Sequence, residues 1–287
     1  MTPMTELPTV IVPVFNAITE LDACLASLDR TLPAGSRVQI ADDASTDPRI
    51  ATLIRTWIAR SRLAISHVRR PHNLGFIGNV ERAMAETDPA DVVLLNSDTL
   101  ATLGWLERIA ACAASDPRIA TITPWSNNAE ICSFPRFCEA NPMPDDPDRI
   151  AQAAASAGPP HYPDLPTAVG FCMYIRRAAW RHCGGFDAAT FGRGYGEEND
   201  FSLRVEGLGW RNVLCDDAYV GHRGHASFGP LGETPGGENL RRLTIRWPDY
   251  NARIARYILD DPLRPLRERI EARLHNLPDD SEQLPLL

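Results

Sequence analysis

Short apolar segments alternate with helical patterns through the N-terminal third of the chain. The apolar segments are rich in β-branched residues or leucine and end in polar residues; they cover residues 9–14, 37–41 and 91–95. Helical patterns cover residues 20–29, 47–60 and 77–86. This alternation predicts βαβ units and therefore an α/β fold with a Rossmann-like, mostly parallel sheet flanked by helices. Ligands bind beyond the carboxyl ends of the strands in such sheets.

The rest of the chain continues the pattern less regularly. We expect strands at 169–175 and 212–220, a turn at 184–187 and a helix at 197–208. The Pro-, Ala- and Asp-rich segment 141–166 predicts a surface loop or mobile excursion with a short helix at 150–157. A Gly- and Pro-rich linker after Phe228 precedes helical stretches at 239–246 and 250–259 and a charged tail, expected to be peripheral. We therefore divide the chain into a domain of residues 1–237 and a helical C-terminal extension of residues 238–287.

The basic residues are unusual because all 29 are arginine and lysine is absent. Codon bias in a GC-rich genome explains such a composition. The absence of lysine nevertheless excludes Schiff-base enzymes, pyridoxal-phosphate enzymes of the usual kind, P-loop proteins and kinases with a strand lysine. A phosphate group would have to be bound by arginine, backbone N–H groups or a metal ion.

Charge and cysteine content narrow the partners and the compartment. The net charge of −8 argues against nucleic-acid binding, and seven scattered cysteines without a CxxC pair indicate reduced thiols in a cytoplasmic protein. We see no signal peptide and no apolar run long enough to span a membrane. The Arg-rich segment 241–273 could contact the inner face of an anionic membrane as a peripheral protein, but its interspersed acids favour a homodimer contact or a solvated face.

Polar turns follow each of the three predicted N-terminal strands. They contain, in chain order, Pro13-Val14-Phe15-Asn16, Asp42-Asp43 and Asn96-Ser97-Asp98. A carboxylate at the end of a strand can reach a divalent cation and a ribose together, and hard cations such as Mg²⁺ or Mn²⁺ prefer oxygen ligands. The alternative for Asp43 and Asp98 is an ordinary turn or helix-cap residue.

An acidic cluster and two histidines complete the candidate chemistry. Glu197, Glu198 and Asp200 lie within four positions, so repulsion could raise the pKa of one carboxyl and make it a general base. The alternative is a helix N-terminus, where acids are favoured by the helix dipole. His222 and His225 follow a predicted strand and are either metal ligands or structural residues.

Taken in order, these segments resemble the family 2 glycosyltransferases with the GT-A fold, from about Thr9 to Phe228. The matching segments are Val10-Ile11-Val12-Pro13-Val14-Phe15-Asn16, Asp42-Asp43, the loop 73–79 with Asn79, Asn96-Ser97-Asp98, Gly170-Phe171-Cys172-Met173, Gly184-Gly185-Phe186-Asp187, Glu197-Glu198-Asn199-Asp200 and His222. Asn96-Ser97-Asp98 stands in the place of the family's DxD motif, with Asn96 replacing the first acid. One carboxylate therefore remains there for the metal.

The resemblance implies a role for each matching residue. Nucleotide-sugar binding is implied for Pro13, Phe15, Asn16, Asp43, Asn79, Asn96, Ser97 and Asp98. Asp98 and His222 would hold the cation, with His225 as a substitute for His222. Glu198 would be the catalytic base, with Glu197 as its rival, and the acceptor cleft would include Gly170, Phe171, Gly185 and Asp200. Arg193 or Arg223 is the arginine we expect at the diphosphate.

The expected activity is transfer of a sugar from a UDP- or dTDP-linked donor to a hydroxyl of a bacterial surface glycan or its lipid carrier, with inversion and with Mn²⁺ or Mg²⁺ as cofactor. Two alternatives remain at this point. One is a nucleotidyltransferase that makes the activated sugar, which the sequence Pro13-Val14-Phe15-Asn16 disfavours because the Gly-rich basic loop is missing. The other is a non-catalytic sugar-nucleotide-binding module.

Overall fold

A computed structural model describes residues 6–224 and 237–278. The strands of this part of the chain are β1 (Thr9–Val14), β2 (Arg37–Asp42), β3 (Ala64–Arg69), β4 (Val92–Leu95), β5 (Thr99–Ala101), β6 (Ile119–Trp125), β7 (Cys172–Ile175) and β8 (Arg211–His222). They form one sheet in the order β3-β2-β1-β4-β7-β6-β8-β5. Only β7 and β5 run antiparallel to their neighbours, so the sheet is mostly parallel, as expected.

Helices cover both faces of the sheet. They are α1 (Ile18–Thr31), α2 (Pro48–Arg60), α3 (Gly75–Glu86), α4 (Trp105–Ser115), α5 (Pro147–Ser156), α6 (Arg177–Cys183), α7 (Ala188–Phe191), α8 (Glu197–Gly207), α9 (Glu238–Arg246), α10 (Tyr250–Asp260) and α11 (Arg264–His275). A 3₁₀ turn covers Glu130–Cys132. Among the helices of the described ranges, none combines the length and the apolar character needed to cross a membrane.

Side chains of β1 alternate between two apolar cores. Val10 and Val12 pack into a core with α1, α2 and α4, while Ile11 points to the other face and packs into a core with α3 and α8. Burial of both faces explains why the central strands read as continuous apolar runs. The edge strand β3 is only partly buried and carries polar residues, which is why no apolar run marks it in the sequence.

Two expectations about surface segments are wrong. The surface loop or mobile excursion expected over 141–166 does not include α5, which overlaps the short helix expected at 150–157 and buries Ala151 and Ala154 in the first core. The C-terminal tail is not peripheral as far as residue 278, because Leu263 and Ile270 of the α11 region are at most 1% exposed in the same core. The predicted linker before Gly237 falls almost wholly within residues 225–236, outside the described residues.

Candidate active site

A cavity opens at the carboxyl ends of β1, β2 and β4, where the sheet topology brings the three polar turns together. Twelve of the predicted site residues line it: Pro13, Phe15, Asp43, Asn79, Asn96, Ser97, Asp98, Gly170, Phe171, Glu197, Glu198 and His222. The remaining three, Asn16, Gly185 and Asp200, do not line it. The end of β8 and the beginning of α8 also line the cavity.

Asp43 joins the turn after β2 to the beginning of α3. Its two carboxylate oxygens accept hydrogen bonds from the backbone N–H groups of Leu74, at 2.7 Å, and Gly75, at 2.9 Å. Burial raises the pKa of this carboxyl, while the two N–H donors and the Arg193 charge act in the opposite direction. Each oxygen keeps a further lone pair, so the carboxylate can support the helix and still accept from a ligand.

Asn79 lines the cavity with its polar atoms already engaged. Its amide donates to the carbonyl of Ala41 at 2.7 Å and accepts from Nε of Arg70 at 2.8 Å. Arg70 in turn pairs with Glu86 at 2.5 Å. The side chain therefore holds α3 against β2, and its contribution to the cavity is chiefly shape.

The turn that follows β4 presents a hydroxyl and a carboxylate to the cavity. The backbone N–H of Asn96 donates to the carbonyl of Phe171 at 2.9 Å, which ties the turn to the segment before β7. Ser97 is 2% exposed, and its Oγ makes no hydrogen bond within the described residues. An unsatisfied buried hydroxyl costs about 1–3 kcal/mol. A polar ligand in the cavity would remove that cost.

His222 ends β8 and faces Asp98 across the cavity. Its Nδ1 lies 2.7 Å from the carbonyl oxygen of Asn128, which can only accept, so we assign the proton to Nδ1. The other ring nitrogen, Nε2, lies 3.5 Å from Oδ1 of Asp98. Phe171 stacks on the imidazole at 5.2 Å between centroids, and the Asn127 amide makes two bonds to the His222 backbone. The ring is thus held in the orientation and tautomer of a metal ligand.

The donor set at this point fits a hard cation that shares its coordination with a substrate. Asp98 offers oxygen and His222 offers nitrogen, and the described residues contain no group of three or more His, Cys, Asp or Glu side chains arranged for a metal. Mg²⁺ and similar ions commonly take one or two protein ligands and complete their shell with phosphates and water. The pair therefore suits a cation that arrives with a diphosphate rather than a closed structural site.

Glu197 and Glu198 begin α8 at the edge of the cavity. Glu197 is 4% exposed, whereas the half-buried Glu198 lies against Gly170 and accepts from the backbone N–H of Gly196 at 3.2 Å. Burial, with a smaller effect from the negative charge of Glu130, raises the pKa of the Glu198 carboxyl to about 7. A carboxyl that titrates near neutral pH can accept a proton from an acceptor hydroxyl.

Glu130 is a functional candidate that the sequence did not indicate. It lies in the 3₁₀ turn after β6, with a φ of 48°, and lines the cavity near Glu198. Glu130 is exposed, yet partial desolvation by the surrounding residues raises the pKa of its carboxyl. No local motif surrounds it, so only the tertiary structure reveals its position.

Asn16, Gly185 and Asp200 contact other protein residues and do not face the cavity. Asn16 Oδ1 accepts from the backbone N–H groups of Thr46 and Asp47, both at 2.9 Å, and joins two turns. A Cβ on Gly185 would lie 2.6 Å from a Glu81 oxygen, so that glycine is enclosed by protein.

Asp200 is fully buried beneath α9. Its carboxylate accepts from Arg204 at 2.7 Å, Arg246 at 3.1 Å and Trp247 at 2.9 Å. It anchors helices and does not face the cavity, unlike the acceptor-cleft position expected for it.

The two arginines expected at the diphosphate differ in position. Arg193 lines the cavity, bonds the side chain of Asn73, and accepts through its carbonyl from the N–H of Phe76 at 2.8 Å. Arg223 donates through its backbone to the carbonyl of Asp98, but its side chain is exposed and is not part of the cavity lining. His225, the proposed substitute ligand, lies outside the described residues.

The sequence of this chain matches a known protein family over most of the described sheet. A family model described as "Glycosyl transferase family 2" matches residues 9–182, more than half of the chain. No curated protein sequence matches.

Several solved structures share the fold at low identity. GalNAc-T7 with UDP, GalNAc and Mn²⁺ superposes with a TM-score of 0.62 at 15% identity, over 93% of this chain and 55% of that one. The mannosyltransferase PcManGT from Pyrobaculum calidifontis, in complex with GDP-Man and Mn²⁺, gives 0.55 at 16% identity, over 96% of this chain and 77% of that one. Residues 1–349 of S. aureus TarS with UDP-GlcNAc give 0.54 at 15% identity, over 93% and 71%. The chain thus spans about half the length of the first of these proteins.

Proposed function

We propose that this chain, which belongs to glycosyl transferase family 2 and is a glycosyltransferase with the GT-A fold, uses a UDP- or dTDP-linked sugar as its donor. The sugar is transferred, with inversion, to a hydroxyl of a glycan or lipid-linked acceptor. The observation that carries this proposal is the placement of Glu198 in one cavity with the Asp98–His222 pair. A base and a site for the leaving diphosphate are the two elements that the reaction needs. The nucleotide sugars and Mn²⁺ bound by proteins of the same fold agree with it.

Donor binding is assigned to the turns after β1, β2 and β4. Pro13 and Phe15 offer an apolar wall for the base, Asp43 an acceptor for its N–H groups, and Ser97 an unsatisfied hydroxyl for the ribose or the diphosphate. Asp98 and His222 would hold Mn²⁺ or Mg²⁺, which supplies charge neutralisation at the diphosphate. Arg193 would add positive charge there, because this residue lines the same cavity.

Glu198 is assigned the proton transfer. The acceptor oxygen forms a bond to the anomeric carbon while the bond from that carbon to the diphosphate oxygen breaks, and the electron pair leaves with the diphosphate. The proton of the acceptor hydroxyl passes to the Glu198 carboxylate. Attack from the face opposite the diphosphate inverts the anomeric carbon, and general base catalysis of this kind contributes about 10²–10⁴-fold.

The arginines of the C-terminal helices form ion pairs within the chain, which argues against a membrane-binding surface there. Arg246 bonds Asp187 at 2.8 Å, and Arg253 bonds Glu206 at 2.5 Å. Arg267 pairs with Asp261 at 2.6 Å in a nearly buried position. These positive charges are balanced within the chain, which favours a solvated face or a homodimer contact over an anionic lipid surface.

The test is a thermal-shift screen of nucleoside diphosphates and nucleotide sugars, with and without Mn²⁺, followed by product analysis. A ligand at 100 times its dissociation constant stabilises a protein by about 2.7 kcal/mol, which a shift in Tm readily reveals. Stabilisation by UDP or dTDP sugars that increases with Mn²⁺, and an inverted glycoside product, are expected. Diphosphate release from a sugar 1-phosphate and a nucleoside triphosphate, without glycosyl transfer, would contradict the proposal.

A further inference from the structure

A second cavity adjoins the donor cavity at Glu198. The two share four lining residues: Glu130, Arg193, Tyr195 and Glu198. The outer wall of the second cavity is formed by α9 and by Tyr250 at the beginning of α10, both in the C-terminal extension. Glu198 thus stands at the junction, with the Asp98–His222 pair in the first cavity only.

Specific contacts hold the outer wall in place. The amide of Asn239 donates to the carbonyl of Phe191 at 2.9 Å and to that of Gly194 at 2.6 Å. Arg242 donates to the carbonyl of Thr190 at 2.7 Å, and Leu243 is 1% exposed in the core. The wall is therefore a built surface that can present side chains in a defined geometry.

The lining combines the groups that bind sugars. Tyr195 and Tyr250 supply aromatic rings, which bury the apolar face of a pyranose, and Leu240 adds apolar surface. Glu130 and Asn199 supply a carboxylate and an amide for sugar hydroxyls. The hydroxyl of Tyr250 is protonated at neutral pH and can donate a hydrogen bond to a sugar oxygen. Burial and the negative charges of Glu130 and Glu198 raise its pKa further.

We propose that this second cavity binds the acceptor, a pyranose whose hydroxyl is directed to Glu198, and that the C-terminal helices therefore select the acceptor. The inference rests on the proposed glycosyl transfer. Inversion requires the acceptor to approach from the side away from the diphosphate. The second cavity includes the base Glu198 but neither Asp98 nor His222, as an acceptor site of this kind would. The wall residues on α9 and α10 take the place of Gly185 and Asp200, which do not line the donor cavity.

The experiment compares two substitutions on the same helix. Leu240→Trp places a large ring in the second cavity, whereas Ile245→Trp places the same ring on a residue that is 66% exposed and outside the cavity lining. The probes are methyl and octyl pyranosides of several sugars, tested as acceptors with the nucleotide sugar that the screen identifies. Donor affinity is measured separately from the shift in Tm with increasing nucleotide sugar.

We expect Leu240→Trp to lower kcat/KM for the pyranoside by at least about tenfold, mainly through KM, with donor affinity changed less than about twofold. Ile245→Trp should behave as wild type. If Leu240→Trp unfolds, Tyr250→Ala tests the same site. It should also lower kcat/KM for the pyranoside while donor affinity changes little. A preference for octyl over methyl pyranosides would indicate a lipid-linked acceptor, whereas equal use would indicate a free glycan end; both support the site.

Two results would overturn the inference. One is unchanged pyranoside kinetics in folded Leu240→Trp and Tyr250→Ala. The other is a wild-type protein that hydrolyses the nucleotide sugar but neither uses nor binds any pyranoside, as judged by saturation-transfer NMR. Failure of the wild type to bind any nucleotide sugar would instead overturn the proposed function, so the two failures are distinguishable.

Discussion

The Nε2 atom of His222 lies 3.5 Å from Oδ1 of Asp98, and the other ring nitrogen is bonded to the Asn128 carbonyl. Under the proposed function, this pair would hold the cation between the end of β8 and the turn after β4. Two ligands from one chain leave room for phosphate oxygens and water, so metal binding and donor binding should depend on each other.

Asp98→Asn should therefore weaken the coupling between cation and nucleotide. The amide keeps the size of the side chain but loses the negative charge, so we expect Mn²⁺ to add little to the Tm shift given by a nucleoside diphosphate. Asp145→Asn, an exposed residue outside the cavity lining, is the matched control and should keep the full Mn²⁺ effect. An Asp98→Asn protein with wild-type Mn²⁺ dependence would show that this pair does not bind the metal.

Glu198→Gln should reduce transfer by about 10²–10⁴-fold while nucleotide-sugar affinity is retained, because the amide fills the same space but cannot take a proton. In the wild type, kcat/KM should fall as the pH falls below about 7, where the raised pKa leaves Glu198 protonated. The variant should lack this acidic limb. Transfer at the wild-type rate would exclude Glu198 as the base and direct attention to Glu197.

The same pKa shift predicts an effect on stability. A carboxyl whose pKa is about 7 in the folded chain and 4.5 when unfolded binds its proton more tightly in the fold, so its destabilising effect grows as the pH rises from 4.5 towards 7. Glu198→Gln should thus be more stable than wild type at pH 8, by about 1–3 kcal/mol, and equal to it near pH 4. Denaturant unfolding at the two pH values measures this difference. A constant difference would mean that the substitution acts through packing.

Ser97→Ala should separate ligand binding from folding. Removal of the unpartnered hydroxyl is expected to leave the free protein equally or more stable, while donor affinity falls by about 1 kcal/mol, roughly fivefold. Ser202→Ala is the contrasting control, because that hydroxyl donates to the Glu198 carbonyl at 2.7 Å and accepts from the Ala168 N–H at 3.0 Å. The control should lose stability. Unchanged donor affinity in Ser97→Ala would remove Ser97 from the donor site.

The sequence predicts the part of the site that depends on strand ends. Since the carboxyl ends of β1, β2 and β4 meet at one edge, the turns with Asp43 and Asp98 had to converge once the strands were recognised. The sequence alone could not show which acid of α8 faces the cavity. Glu198 and Asp200 are two positions apart and about 200° apart around a helix, so they face different surroundings, and only packing decides which faces the cavity.

Glu130 shows a second limit of the sequence. It lies in the 3₁₀ turn after β6 with a positive φ, and no neighbouring residue pattern marks such a turn. The helix α11 was missed for a related reason. Its apolar positions are few and widely spaced, and they become a packing face only when α5 supplies the complementary surface.

Asp200→Ala tests the structural role that the fold gives to a residue of the acidic cluster. The substitution would leave Arg204, Arg246 and the indole of Trp247 without a shared buried partner, and loss of one member of such a network costs about 3–5 kcal/mol. Asp187→Asn is the matched control, since Asp187 also bonds Arg246 but is more exposed, and it should cost much less. Denaturant unfolding gives the free energies, and hydrogen exchange should show faster opening of α9 in Asp200→Ala. If that variant keeps wild-type stability but loses affinity for a pyranoside acceptor, the residue belongs to the acceptor site and the structural assignment is wrong.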